Sequence, residues 1–136
     1  MPIRVVRLQT GHFYHVYNRG VARQPTFLDK RDYEQGIFTL GYYRQAKPVV
    51  KLSKFKTLSA EERNSAWEKL LDTEEILVDI NCFTLMPNHF HLLVRQVTDG
   101  GISTFMRRFG DSFTKFFNTR HERVGPLFQG PFKAVL

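Results

Sequence analysis

The sequence has 136 residues, 42% of them hydrophobic, enough for one ordinary core and too few for two large domains. Its single cysteine, Cys82, excludes an internal disulfide and leaves a cysteine-based zinc cluster without partners, so a small buried hydrophobe is its expected role. Lysine and arginine number 20 against 13 aspartates and glutamates, a formal charge of +7 that favours a polyanionic partner.

No apolar run approaches the ~20 residues of a membrane span. The N-terminus also lacks the pattern of a cleaved signal, so a cytoplasmic chain without membrane contact is expected. The charge is unevenly spread. Residues 1–30 carry five cations against Asp29, and residues 101–136 carry six against Asp111 and Glu122, whereas residues 59–79 carry two against seven anions. Both ends are basic and the middle is acidic.

In chain order, HFYHVYNRG (12–20) is aromatic and β-branched with a glycine stop, which predicts a strand. Alternation puts His12, Tyr14 and Val16 on one face and Phe13, His15 and Tyr17 on the other. From Asp29, a candidate N-cap, the stretch to about Arg44 spaces Tyr33, Ile37, Leu40 and Tyr43 as the apolar side of a helix. Residues 46–56, with a proline and scattered lysines, read as a connector. Ser59 and Glu62 have capping-box spacing, and Ala66, Trp67, Leu70 and Leu71 form the apolar face of a short acidic helix.

Residues 76–86 and 89–97 are two runs of β-formers separated by Pro87 and Asn88, which predicts a tight hairpin. After the DGG break at 99–101, Ile102, Phe105, Met106, Phe109, Phe113, Phe116 and Phe117 recur at three- and four-residue steps. They predict an amphipathic helix to about Arg120, with a Phe-rich core face and with Gly110 as a weak point. His121 falls at its end, where the helix dipole favours it. The tail holds two Gly-Pro pairs and ends in a strand. The order strand, helix, extra helix, strand, strand, helix, strand predicts an α+β fold: a ferredoxin-like antiparallel sheet with helices on one face.

The hairpin's second run, LMPNHFHLLV (85–94), is where chemistry is concentrated. His89 and His91 share one strand face with Leu93 and Arg95, while Phe90, Leu92 and Val94 share the other. The apolar set belongs against the helices, which leaves two imidazoles on the open side within reach of one divalent ion. Two ligands leave coordination positions free for substrate oxygens. His12 and His15 face opposite ways, so at most one of them reaches this place.

These residues resemble the single-tyrosine HUH transposases, and in particular the REP-associated branch similar to insertion sequence 200 transposases. His89, Phe90 and His91 match the His, hydrophobe, His signature, and YHVYNRG, FLDKRDYEQ, LMPNHFHLLV and the stretch from ISTFMRRFGDSF to GPFKAV look like successive blocks of that branch. The resemblance spans 1–136 as a single domain, apart from about 46–72. It implies an enzyme that cleaves and rejoins single-stranded hairpin DNA, with Mg²⁺ or Mn²⁺ held by His89 and His91, a phosphotyrosine intermediate and a homodimer. Arg19, Arg23, Arg107, Arg108, Lys115, Arg120 and Arg123 are the expected DNA-binding residues.

The family's nucleophilic tyrosine lies on a helix beyond the last of these blocks. All five tyrosines here (Tyr14, Tyr17, Tyr33, Tyr42 and Tyr43) precede the histidines, so no catalytic nucleophile is assigned, and a shortened form that binds without cutting is expected. Tyr14 and Tyr17 lie on opposite faces of the first strand, so only one of them could face an ion. The rival readings are a non-catalytic nucleic-acid-binding module on the same fold, a water-using phosphoesterase, and a dimeric interaction protein.

Overall fold

A computed structural model describes residues 7–46, 48, 51–72 and 75–136. The first strand, β1 (Phe13–Arg19), leads through a tight turn at Val21–Arg23 into helix α1 (Lys30–Tyr43). Helices α2 (Leu52–Phe55) and α3 (Ala60–Asp72) follow, then the hairpin β2 (Val78–Met86) and β3 (His89–Gln96), helix α4 (Gly101–Arg120) and strand β4 (Lys133–Val135). The sheet order is β2-β3-β1-β4 with every neighbouring pair antiparallel. With its helices on one side, this is the expected ferredoxin-like α+β arrangement.

Strict alternation builds the sheet. Tyr14, Val16 and Asn18 of β1 and Phe90, Leu92, Val94 and Gln96 of β3 are buried beneath α1 and α4. Helix α4 lays its predicted stripe on them: Ile102, Phe105, Met106, Phe109, Phe113 and Phe117 are all buried. Each such side chain contributes roughly 1.5–3 kcal/mol of burial, which outweighs the local cost of about 1 kcal/mol for Gly110. The helix therefore runs through Gly110 without a break.

Three expectations are corrected. Helix α1 begins at its Asp29 cap as predicted, but it is rotated: Asp32, Gln35, Gly36 and Thr39 are buried with Leu40, Tyr42 and Tyr43, while Ile37 and Phe38 stay exposed. Gly36 permits this rotation, because a Cβ there would sit 2.9 Å from the Phe27 ring. Part of the 46–56 connector is helical, since Leu52 and Phe55 are buried and the Leu52 amide donates to the Tyr43 hydroxyl at 3.0 Å. Cys82 is exposed, because the register shift between Ile80 and Cys82 sets it opposite Leu93 on the open face rather than opposite Leu92 on the core face.

In α3 the Ser59–Glu62 capping box forms reciprocally and Ala66 and Trp67 pack on the core; the side chains of Leu70 and Leu71 lie outside the described residues.

The turn after β1 wraps against the hairpin tip. The Gly20 amide donates to Asn88 O at 2.9 Å, and the Thr26 and Phe27 amides donate to Pro87 O at 2.8 and 3.1 Å. A Cβ on Gly20 would meet the Gln24 carbonyl oxygen at 2.1 Å, so only glycine fits. Gly20→Ala is expected to cost about 1–3 kcal/mol, as overpacking does. An unchanged urea midpoint would contradict this close approach.

Candidate functional site

The open face of the sheet carries one cluster of titratable and aromatic side chains. The register sets Tyr17 opposite His91, His15 opposite Leu93 and Arg19 opposite His89, with Lys133 of β4 beside Tyr17. Paired residues project to the same face, so six polar or aromatic groups from three strands converge. Tyr17, Asn18, Arg19, His89, His91, Gln129 and Lys133 line a cavity of about 390 Å³.

Hydrogen bonds orient both expected imidazoles. His89 Nδ1 lies 2.8 Å from Asn88 Oδ1, and His91 Nδ1 lies 2.8 Å from His15 Nε2. The two rings are edge-on at 5.1 Å between centroids, and Tyr17 stacks against His91 at 5.9 Å. Burial, and then the neighbouring imidazoles of His15 and His89, push the His91 pKa below its usual value. A neutral imidazole is the form a metal needs.

The fit to a divalent ion is partial. Nδ1 of each histidine is engaged and each Nε2 has no hydrogen-bond partner among the described residues, as in metal-ligating histidines whose other nitrogen is held from behind. Among those same described residues, however, no group of three or more His, Cys, Asp or Glu side chains is placed to hold a metal. Positions left open by two imidazoles could be filled by oxygens, from the Gln129 side chain that lines the same cavity or from a substrate or solvent.

The seven expected DNA-binding residues do not form one surface. Arg19 borders the histidine cavity, with its Nε donating to Gln129 Oε1 at 3.0 Å. Arg107, Arg108 and Lys115 line a second cavity of about 820 Å³ on the helical side, together with Arg31, Lys51 and Lys56. Burial and the charge of Arg31 lower the Lys56 pKa, as expected where cations crowd without enough carboxylates. Arg23 is exposed on the turn after β1. Arg123 is engaged by its own loop and by the turn after β1, donating to Asn118 Oδ1 and Pro126 O and to Gln24 Oε1.

Arg120 lines the same helical-side cavity but is neutralised. Its guanidinium makes a two-pronged pair with Asp29, both distances 2.7 Å, and meets the fully buried Asp32 at 2.8 Å. His121 completes the knot, with Nε2 at 2.9 Å from Asp32.

The residues missed by sequence are Asn88, Gln129 and Lys133, and of His12 and His15 it is His15 that reaches the site. Alternation already placed His15 on the correct face with Tyr17, but only the β1–β3 register joins it to His91. Of the tyrosines, Tyr17 is the one beside the histidines; Tyr14 is buried on the opposite face, donating to Arg7 O at 3.1 Å.

No protein-family model matches this sequence, and no curated protein matches it either. A solved structure does match. It is a REP-associated tyrosine transposase bound to a REP hairpin. The two chains share 13% identity at a TM-score of 0.59, and the alignment covers 99% of this chain and 61% of the transposase chain. The likeness establishes a shared α+β fold, and this chain spans less than two thirds of its neighbour's length. Among the described residues, no helix is long and apolar enough to cross a membrane.

Proposed function

We propose that this chain is a single-stranded-DNA-handling domain of the HUH transposase kind, in which His89 and His91 hold Mg²⁺ or Mn²⁺ beside a phosphodiester of hairpin-bearing DNA. The observation that carries the reading is the convergence of His89, His91, Tyr17, Arg19 and Lys133 on one cavity of the open sheet face. That the fold neighbour was solved with a hairpin supports the choice of nucleic acid.

A bound divalent ion supplies Lewis-acid polarisation of a phosphate oxygen. The chain's own groups account for the rest. Arg19 and Lys133 place two positive charges at the rim of the cavity, where they would hold a phosphate, and Tyr17 presents a ring and a hydroxyl beside His91. Farther along the sheet Asp79 offsets one of the two charges of Arg95 and Arg44, leaving less net positive charge there than Arg19 and Lys133 give the histidine end. The homodimer implied by the resemblance would have β2 available, a nine-residue edge strand carrying exposed Phe83 and Met86.

The helical-side cavity is a second phosphate-binding surface in this reading. Arg107 and Lys115 make no ion pair there among the described residues, unlike Arg120. Replacing both by glutamine is expected to weaken binding of single-stranded hairpin DNA similarly for all sequences, and to reduce the slope of log K against log salt by about 0.7 for each phosphate no longer neutralised. An unchanged slope in an anisotropy titration would remove this surface from the account.

The direct test is incubation of labelled single-stranded hairpin DNA with the chain and Mn²⁺, followed by native and denaturing gels. Retarded but intact DNA is expected, because none of the five tyrosines is assigned as nucleophile. A covalent adduct lost in Tyr17→Phe would make Tyr17 the nucleophile and overturn that part. Cleavage without an adduct would indicate water, and retardation indifferent to Mn²⁺ and to His91→Ala would favour a non-catalytic binding module.

A further inference from the structure

We infer that Asn88 is a positioning residue that holds His89 as the Nδ1–H tautomer, so that the Nε2 lone pair is the one available at the cavity. The inference rests on the reading of His89 as an ion ligand, but the hydrogen bonding that carries it is independent of any ion.

An imidazole nitrogen 2.8 Å from an amide oxygen must be the donor, because the oxygen can only accept. The question is then whether that atom of Asn88 is the oxygen or the nitrogen, since the two ends of an amide look alike. A second contact answers it. Asn88 Nδ2 lies 3.4 Å from the carbonyl oxygen of Arg23, which also can only accept, so the amide end facing Arg23 is the NH₂ and the end facing His89 is the oxygen.

The backbone that presents the Arg23 carbonyl is unusual. Ala22 and Arg23 both lie in the left-handed region, at φ 53° and 60°, although neither is glycine. Non-glycine residues keep such angles only where the surroundings impose them. Here the surroundings are the bonds from Gly20 to Asn88 O and from Thr26 and Phe27 to Pro87 O, which clamp the turn onto the hairpin tip. The NRG and PNH segments, distant in sequence, thus jointly set one ring nitrogen. The contact between His91 and His15 carries no such constraint, because each of those rings can donate or accept. The assignment is therefore made for His89 alone.

The test is a long-range ¹H–¹⁵N spectrum of the metal-free full chain at pH 8, with His89 assigned by its disappearance in His89→Gln. Wild type is expected to show the Nδ1–H pattern at His89. Asn88→Ala should move it toward Nε2–H, the form an unconstrained histidine side chain prefers in water, and Asn88→Asp, which keeps an acceptor, should restore it. Mn²⁺ affinity should fall about tenfold or more in Asn88→Ala and recover in Asn88→Asp. An Nε2–H pattern in wild type overturns the inference without any variant, as does an Nδ1–H pattern that survives Asn88→Ala. The expected tautomers with no Mn²⁺ affinity in wild type would sustain the role of Asn88 and overturn the proposed ion instead.

Discussion

Asp32→Ala is expected to destabilise the protein by about 3 kcal/mol, because it removes the buried member of a charge network and leaves its partners half-satisfied. Asp32 is fully buried and accepts from the Leu28 amide at 2.9 Å, from Arg120 at 2.8 Å and from His121 at 2.9 Å. These bonds tie the first turn of α1 to the end of α4. The exposed Lys30–Glu34 pair on the same helix, 3.6 Å apart, should contribute at most about 0.5 kcal/mol by comparison. Against a total stability of about 5–15 kcal/mol for a domain of this kind, the Asp32 change would be conspicuous in urea unfolding. A loss below about 1 kcal/mol would mean that the cost of burying the charge cancels the bonds it makes.

The same knot predicts a pH dependence. The Arg120 guanidinium holds the Asp29 carboxyl at about 2, below its ordinary 3.8. A lowered folded-state value means that the unfolded chain binds more protons as the pH falls, so the contribution of Asp29 is fully present above 3.8 and is lost on descent through about 2. Asp29→Asn should therefore flatten the acid limb of stability in that window. An acid limb identical to wild type would place the loss elsewhere.

The second large effect is chemical rather than structural. His91→Ala should weaken Mn²⁺ binding by more than ~100-fold, beyond the 10–100-fold typical of residues that only support a ligand. It should leave unfolding within about 0.5 kcal/mol of wild type, because the ring lies half-exposed on the open face and outside the core. His12→Ala, exposed just before β1, is the matched control and should change neither quantity. Equal Mn²⁺ affinity in His91→Ala and wild type would remove the histidine pair from the account.

Signals within single elements were legible. Parity on β3 gave the correct faces for His89, Phe90, His91 and Leu92, and the stripe on α4 named the buried phenylalanines. Features set by distant partners were not. The rotation of α1 follows from Asp32 reaching Arg120, 88 positions away, and a hydrophobic-spacing argument over Tyr33, Ile37 and Leu40 contains no trace of that bond. Arg120 looks like any basic residue at a helix end until Asp29 and Asp32 are placed beside it. Cys82 has the composition of a core position, but an irregularity in the β2–β3 pairing turns it to the open face, and simple alternation along the strand does not contain that shift. The cavity around the histidines needed three strands in register, so Lys133 and Gln129, from the tail, were out of reach of any local pattern.

The central claim is that ion and phosphate share the histidine face, and calorimetric titration of Mn²⁺ with and without single-stranded hairpin DNA tests it most directly. If phosphate oxygens complete the coordination begun by His89 and His91, DNA and Mn²⁺ must each strengthen the other's binding by the same factor, at least about fivefold on the scale of ordinary coupling. The expected result is one Mn²⁺ per chain, bound more tightly in the presence of DNA, with the coupling abolished in His89→Ala and His91→Ala. Mn²⁺ affinity indifferent to DNA, or undiminished in those variants, would contradict the account.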